Sequence, residues 1–336
     1  MSVRIFPFAG AVRVLARGAA TLFAGAVLAL SAQAAGYPER PVRILVGVQA
    51  GASTDTLARL VAQKLGDRLG QPFFVENRTG AATRIGMETM ARAPADGYTL
   101  GLANAVSTSF PLMFDNFPFV PGKDFVPVSL AGRAPSFLAV RSTLPVHNVA
   151  EFIAYAKANS GKLSFGYGGA GSNPHVAALT LVRSLGVKAV GVPYKGNAPT
   201  ALAVAMGEVD FAMLEYAAVR PLVERGNIRL LAVTEPKRFA LTPDVPTGVE
   251  EGLTREIEGM TPWFMWLAPA GTPKPVIEQL NRHINEILRL PEVQQPLRAA
   301  GVEPEGSTAA AATDYFLGER ARITRLSHEL GVSFKE

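Results

Sequence analysis

From Val42 onward the chain alternates short apolar runs, rich in β-branched residues, with stretches whose apolar residues recur at helical spacing. "VRILVGV" (42–48) reads as a buried strand. "STDTLARLVAQKLGDRL" (53–69) follows it, with Leu57, Leu60, Val61, Lys64, Leu65 and Leu69 near one helical face. The same order recurs in "PFFVENR", "GMETMARA" and "YTLGLAN" and, past a proline-rich passage from Phe117 to Pro127, in "FLAVR" and a helix over residues 149–158. "LSFGYG", "AVGVPY", "VDFAML" and "IRLLAVT" continue as strands, with helices expected over 175–185 and 198–206 between the first three.

Strands separated by helices predict an α/β fold with parallel sheets covered on both faces. Roughly eight strand–helix units exceed one comfortable core, so two domains are expected. The proline-rich passage, "VPVSLAGRAPS" and "EIEGMTPW" are the expected crossings between them. This divides the chain into a first domain of residues 35–136 with 257–336 and a second of residues 137–256. The helical tail from Lys274 is expected to pack back on the first domain. Trp263 and Trp266 read as interdomain core rather than as ligand stackers.

The N-terminus changes the picture by placing the chain outside the cytoplasm. Arg4, Arg13 and Arg17 lie in a leader without acidic residues, followed by an apolar run of 12 from Ala19 to Leu30 and an A-x-A site at Ala32, Gln33 and Ala34. That is the signature of a cleavable export signal over residues 1–34. The run is well short of the ~20 apolar residues that span a bilayer. The net charge of +5 falls to +2 without the three leader arginines, and no clustered basic stripe remains, so nucleic acid is not an expected partner.

Much chemistry is excluded. With no cysteine there is no thiolate nucleophile, Cys-bound zinc or iron–sulfur centre. His147, His175, His283 and His328 are far apart and show no metal-ligand spacing, so no metal is expected. No G-x-S-x-G elbow is present, and "SGKLS" is not a Walker loop. Gly166, Gly168 and Gly171 have the G-x-G-x-x-G spacing of a dinucleotide turn. The acid that should bind the ribose about 20 residues later is missing from "VKAVGVPYKG", and no cofactor is expected.

A glycine-rich turn between strand and helix has another use. It leaves backbone N–H groups free at a helix N-terminus, where the helix dipole favours negative charge. Two turns share this design: "GVQAGASTD" (47–55) and "GYGGAGSNPH" (166–175). Both read as carboxylate cradles, one in each domain, facing each other across a cleft. Ser53 or Thr54, and Ser172 or Asn173, are also candidates to cap those helices. Asp55 could favour its helix N-terminus, fix a water or meet an amino group on the ligand. Lys195, in "VPYKGNAP", is either a surface lysine or a ligand contact.

In order along the chain, "YPERPVRILVGVQAGASTDTLARLVAQKLGDRLGQPFFVENRTGA", "ADGYTL", "KDFVPVS", "GYGGAGSNPHVA", "VPYKGNAP", "MGEVDFAM", "IRLLAVT..KR", "PDVPT..EEG" and "WLAPAGTP" resemble the extracytoplasmic solute receptors of tripartite tricarboxylate transporters, the Bug family. The resemblance implies a periplasmic-binding-protein type 2-like fold: two α/β domains with a ligand cleft between them, closing like a flytrap. The implied ligand is a small organic carboxylate, held by backbone amides and ordered waters. Carried over by position, the ligand-binding residues are Gln49, Ala50, Gly51, Ala52, Ser53, Thr54 and Asp55 in the first loop. Asn104, Ser107 and Thr108 follow the "DGYTL" strand. Gly168, Gly169, Ala170, Gly171, Ser172, Asn173 and His175 form the second loop, with Tyr194, Lys195 and Gly196 beside it.

The chain departs from the family pattern at three places. Ala52 stands where a second adjacent glycine is usual, Ala82 and Thr83 replace a common glycine pair, and the usual aspartate of the "VDFAML" block falls on Leu214, with Glu215 beside it. The reading implied is a periplasmic, monomeric, non-catalytic receptor that delivers its ligand to the permease subunits of a membrane transporter. Two alternatives stay open at this level: a receptor signalling to a sensor kinase, and an exported enzyme using His175 as a general base near Tyr194 or Asp55.

Overall fold

The computed structural model describes residues 36–115, 120, 123–332 and 334. The export leader, and residues 116–119 and 121–122 of the proline-rich passage, lie outside the described residues. The chain begins with β1 (Val42–Val46), α1 (Ser53–Leu69), β2 (Phe73–Asn77), α2 (Arg84–Ala91), β3 (Thr99–Asn104), α3 (Phe110–Met113) and β4 (Phe125–Arg133). It then enters a second sheet through β5 (Ser136–Arg141), α4 (Val149–Ala158), β6 (Leu163–Tyr167), α5 (Asn173–Ser184), β7 (Ala189–Pro193), α6 (Asn197–Met206), β8 (Phe211–Glu215), α7 (Tyr216–Glu224) and β9 (Ile228–Val233). It returns with β10 (Trp263–Pro269), α8 (Lys274–Leu288), α9 (Pro291–Ala299), β11 (Glu303–Pro304) and α10 (Ala309–Leu330).

The expected alternation is thus present as two sheets, one of six strands in the order β11-β4-β10-β3-β1-β2 and one of five in the order β7-β6-β8-β5-β9. α1 shows why the pattern folds this way. Leu57, Ala58, Val61, Ala62 and Leu65 recur at three- and four-residue steps and are buried against the first sheet, while Gly70 ends the helix in the left-handed conformation. Each large side chain so buried contributes about 1.5–3 kcal/mol.

Three expectations need correction. The sheets are mixed rather than parallel: β10 runs against β3 and β4, and β5 runs against β8 and β9. The cause is the crossing. β4 ends at Arg133, level with the carboxyl end of β3, and the chain enters the second sheet at Ser136, opposite Glu215 at the carboxyl end of β8. A strand that starts where its neighbour ends must run the other way. The return crossing is tied to the first by a hydrogen bond from Ala134 N–H to Pro262 O (2.8 Å).

Second, Trp263 and Trp266 are fully buried on the two faces of the first sheet and not between domains. Third, the tail does not belong to one core. α8 packs on the first sheet, whereas α10 places Ala312 and Phe316 there and Ile323 and Leu326 in the core under the second. α10 therefore straps the two halves together.

Candidate ligand-binding site

A cavity of about 350 Å³ lies where the carboxyl ends of β3, β6 and β8 meet the first turns of α1, α5 and α6. Its size is that of a small-molecule site. The first half contributes Ala52, Ser53, Thr54 and Asn104, and the second Gly168, Gly169, Ala170, Ser172, Asn173 and Gly196. These are half of the residues carried over by position. Gln49, Ala50, Gly51, Asp55, Ser107, Thr108, Gly171, His175, Tyr194 and Lys195 do not line it.

Capping decides which backbone amides are free. Ala52 is the residue preceding α1, in extended conformation, and no side chain caps the helix. Ser53 and Thr54 sit inside the first turn and do not cap it, contrary to the capping alternative. The first amides of a helix have no partner within it, so those of α1 face the cavity unanswered. α6 likewise starts at Gly196 without a side-chain cap. α5 differs: Ser172 Oγ accepts from the His175 N–H (3.3 Å) and caps it. The free helix starts are therefore at Ala52 and Gly196, and the second glycine turn is partly self-satisfied.

Asp55 supports the first loop from outside the cavity wall. It is 2% exposed. Its carboxylate accepts from the Gly51 N–H, Arg59 Nε and Asn77 Nδ2, each at 2.9 Å. Asn77 Nδ2 also donates to Val48 O (3.0 Å), so the group fastens the loop to β2. Burial alone would push the carboxyl up, but the bonds from Arg59, Gly51 and Asn77 outweigh it and hold it below the usual carboxylate range.

The second turn is shaped by close backbone approach. A Cβ at Gly168 would stand 2.5 Å from the Gly196 carbonyl carbon, so only glycine lets the two turns meet. Gly171 lies off the cavity wall, and its glycine is required by the fold. It has a φ of 69° and its bare Cα faces Phe334, while its N–H donates to His175 Nδ1 (3.1 Å) and its carbonyl accepts from Ser109 Oγ (2.9 Å). The Ser109 bond reaches back to the first half of the molecule.

His175 is stacked on Tyr167, with ring centroids 3.9 Å apart, and is 8% exposed. Burial holds its imidazole down to about 4, so it is neutral at pH 7, with Nδ1 engaged as an acceptor. A base in that state and away from the cavity does not serve the enzyme alternative. It should serve acid sensitivity instead. The unfolded chain takes up a proton near pH 6.5 and the folded one only near pH 4, so stability is full above 6.5 and falls as the pH drops to 4. A shift of this size is worth roughly 3 kcal/mol. Urea unfolding at pH 7 and pH 4.5 should show the loss in the parent and a smaller one in His175→Gln; equal losses would reject it.

The remaining candidates point elsewhere. Ser107 Oγ and Thr108 Oγ1 donate to Asn104 O and Ala105 O (both 2.7 Å), closing a buried turn. The Tyr194 hydroxyl donates to Glu208 (3.2 Å), and Lys195 is exposed outside the cavity. In their place the wall contains Ala82, Ala105, Val106, Met113, Pro174, Asn197, Glu215, Pro262 and Phe264. Glu215, the last residue of β8, accepts a short hydrogen bond from Asn197 Nδ2, and burial pushes its carboxyl up to about 7 against that bond. Ala81, Ala82 and Thr83 all have positive φ (44°, 49° and 78°), a conformation that glycine adopts without strain.

Among the described residues, no group of three or more His, Asp or Glu could hold a metal ion, and no helix is long and apolar enough to cross a membrane. The chemistry available at the site is recognition: free helix amides for an anion, an apolar wall, and one acid.

Two sheets joined by crossing strands, with a ligand-sized cavity at the facing strand ends, define a two-lobed solute-binding protein. The model of the tripartite tricarboxylate transporter family receptor matches residues 57–332, and the chain belongs to that family. It is 34% identical over 304 residues to Protein BugT of Bordetella pertussis, covering 89% of this chain and 92% of that protein. Among solved structures, R. palustris Rpa4515 with adipate is 33% identical, covers 89% of this chain and 100% of that one, and superposes with a TM-score of 0.77. The periplasmic binding protein BugD is 32% identical, with coverage of 89% and 100% and a TM-score of 0.72.

Proposed function

We propose that this protein captures a small organic carboxylate in the periplasm and delivers it to the permease of a tripartite tricarboxylate-type transporter, without catalysing a reaction. One observation carries the reading: the uncapped starts of α1 and α6 open on a cavity whose wall, among the described residues, has no basic side chain. Backbone amides are then the anion-binding groups, and they suit a carboxylate. Adipate in Rpa4515 supports that class of ligand, and the receptor family supports the permease as partner. The leader of residues 1–34 would direct export and be removed after Ala34.

The mechanism is closure. Contacts that a ligand makes to both lobes exist only when they are together, so binding shifts the hinge equilibrium toward the closed form, which the permease would recognise. Residues 35–136 with 257–336, and 137–256, are the lobes in this account.

The test is a thermal-shift screen of residues 35–336, freed of co-purified ligand by unfolding and refolding. The panel holds mono-, di- and tricarboxylates, aromatic acids, amino acids and NAD. Saturation at 100 times the dissociation constant stabilises by about 2.7 kcal/mol, a rise of several degrees in a chain of this size. A rise with one group of acids is expected. A flat response to every acid, or a rise with NAD alone, would overturn the reading.

A further inference from the structure

The cavity wall has an excess of acceptors that a plain organic acid leaves unanswered. Among the described residues, Glu215 is the one charged residue on it, and no lysine or arginine shares the wall. Among the described residues, its side chain has a single hydrogen-bond partner, Asn197 Nδ2, on Oε1. Asn173 adds a second acceptor. It is 1% exposed, and its Oδ1 has no partner. Its amide cannot turn over to offer a donor there: Nδ2 donates to Thr261 O (3.0 Å) and lies 3.4 Å from Glu319 Oε2, so a flip would set oxygen against oxygen.

The hydroxyls do not redress the balance. Ser172 Oγ already donates to Gly169 O (2.9 Å), and the Ser53 and Thr54 hydroxyls, in the first turn of α1, would serve the ligand carboxylate bound there and not the end beside Glu215. Once Glu215 is ionised, a carboxylate set beside it would meet like charge and, among the described residues of the wall, no cation. An ammonium group there would meet a charged acceptor and complete it, in one of the stronger kinds of hydrogen bond. The push that burial gives the Glu215 carboxyl, to about 7, is what a carboxylate lacking its cation shows. The rest of the wall, with Val106, Met113, Pro262 and Phe264, suits an apolar body between two polar ends.

We propose that the cavity selects a small zwitterion, an amino acid whose carboxylate sits on the free amides of α1 and whose ammonium group is held by Glu215. This rests on the receptor reading above and narrows it. The acid that sets this preference is one of the places where the chain departs from its family's pattern, and it discriminates as much by repelling a second carboxylate as by attracting an amine.

The experiment measures calorimetric affinities for matched acids that differ only in the group far from the first carboxylate. One set is γ-aminobutyrate, butyrate and succinate; another is ε-aminocaproate, caproate and adipate; leucine beside isocaproate covers the α-amino arrangement. In at least one set the amino member should bind tenfold or more tighter than its partners, equal to about 1.4 kcal/mol. In Glu215→Gln, which keeps an oxygen for Asn197, that advantage should vanish and the diacid should gain affinity. If the plain acids or diacids bind as well as the amino members in every set, or if the advantage survives Glu215→Gln, the zwitterion proposal is overturned while the receptor reading stands. Binding of no acid in any set would also overturn the zwitterion proposal, and the wider thermal-shift panel would then decide the receptor reading.

Discussion

An aspartate in place of Ala52 should raise the melting temperature and weaken ligand capture at the same time. Ala52 already has the extended backbone of a helix-capping residue (φ −68°, ψ 158°) but no side chain that can accept a hydrogen bond. A carboxylate there would take the free amides of α1, worth about 0.5–2 kcal/mol to the fold. The same amides are the proposed ligand carboxylate's partners. Charge-assisted bonds of this type are worth ~1.5–3 kcal/mol each, so affinity should drop at least tenfold. Ala52→Asn separates the causes, since it caps without adding charge. Opposite changes in melting temperature and affinity are expected for both variants; a stabilised protein with undiminished affinity would mean that the ligand does not use these amides.

The second large effect is on stability alone. Asp55→Ala should destabilise the protein by about 2–4 kcal/mol, because Arg59, Asn77 and the Gly51 amide all lose a shared, nearly inaccessible acceptor. Asp55→Asn should fall short of rescue. Three donors converge on the carboxylate, and an amide would turn one NH₂ toward them. The pH sign follows from the lowered carboxyl: the contribution is present above the unfolded value near 4 and is lost as the pH falls through the lower folded one. Chemical denaturation of the three proteins at pH 7 checks this. A change below about 0.5 kcal/mol in both variants would show that the loop does not depend on Asp55.

Much of this architecture was legible in the order of the residues. The helix over 53–69 coincides with the expected one, and each expected strand lies within about a residue or two of its place, the margin within which helix and strand boundaries are ordinarily read. Periodicity gives no strand direction, however. The antiparallel β5 and β10 follow from where the chain crosses between sheets, which is a tertiary fact. The family resemblance and the two glycine turns led to the strand ends where the cavity lies, but composition does not say which serine folds back on its helix. Ser172 does; Ser53 does not. Asp55 and His175 look like site chemistry in one dimension, yet the Asp55 carboxylate and His175 Nδ1 are engaged by groups inside the protein. Glu215 was visible only as a displaced acid. The rule that ligands lie at strand carboxyl ends, applied to the end of "VDFAMLE", would have placed it on the wall.

The most direct measurement is a crystal structure of the mature chain with an acid that passes the thermal-shift screen. The account predicts one carboxylate within hydrogen-bonding distance of the Ser53 or Thr54 amides, at the uncapped start of α1, with the rest of the ligand running along Val106 and Phe264 toward Glu215. A carboxylate bound instead by Lys195, or against His175 and Gly171 with the start of α1 left empty, would contradict it.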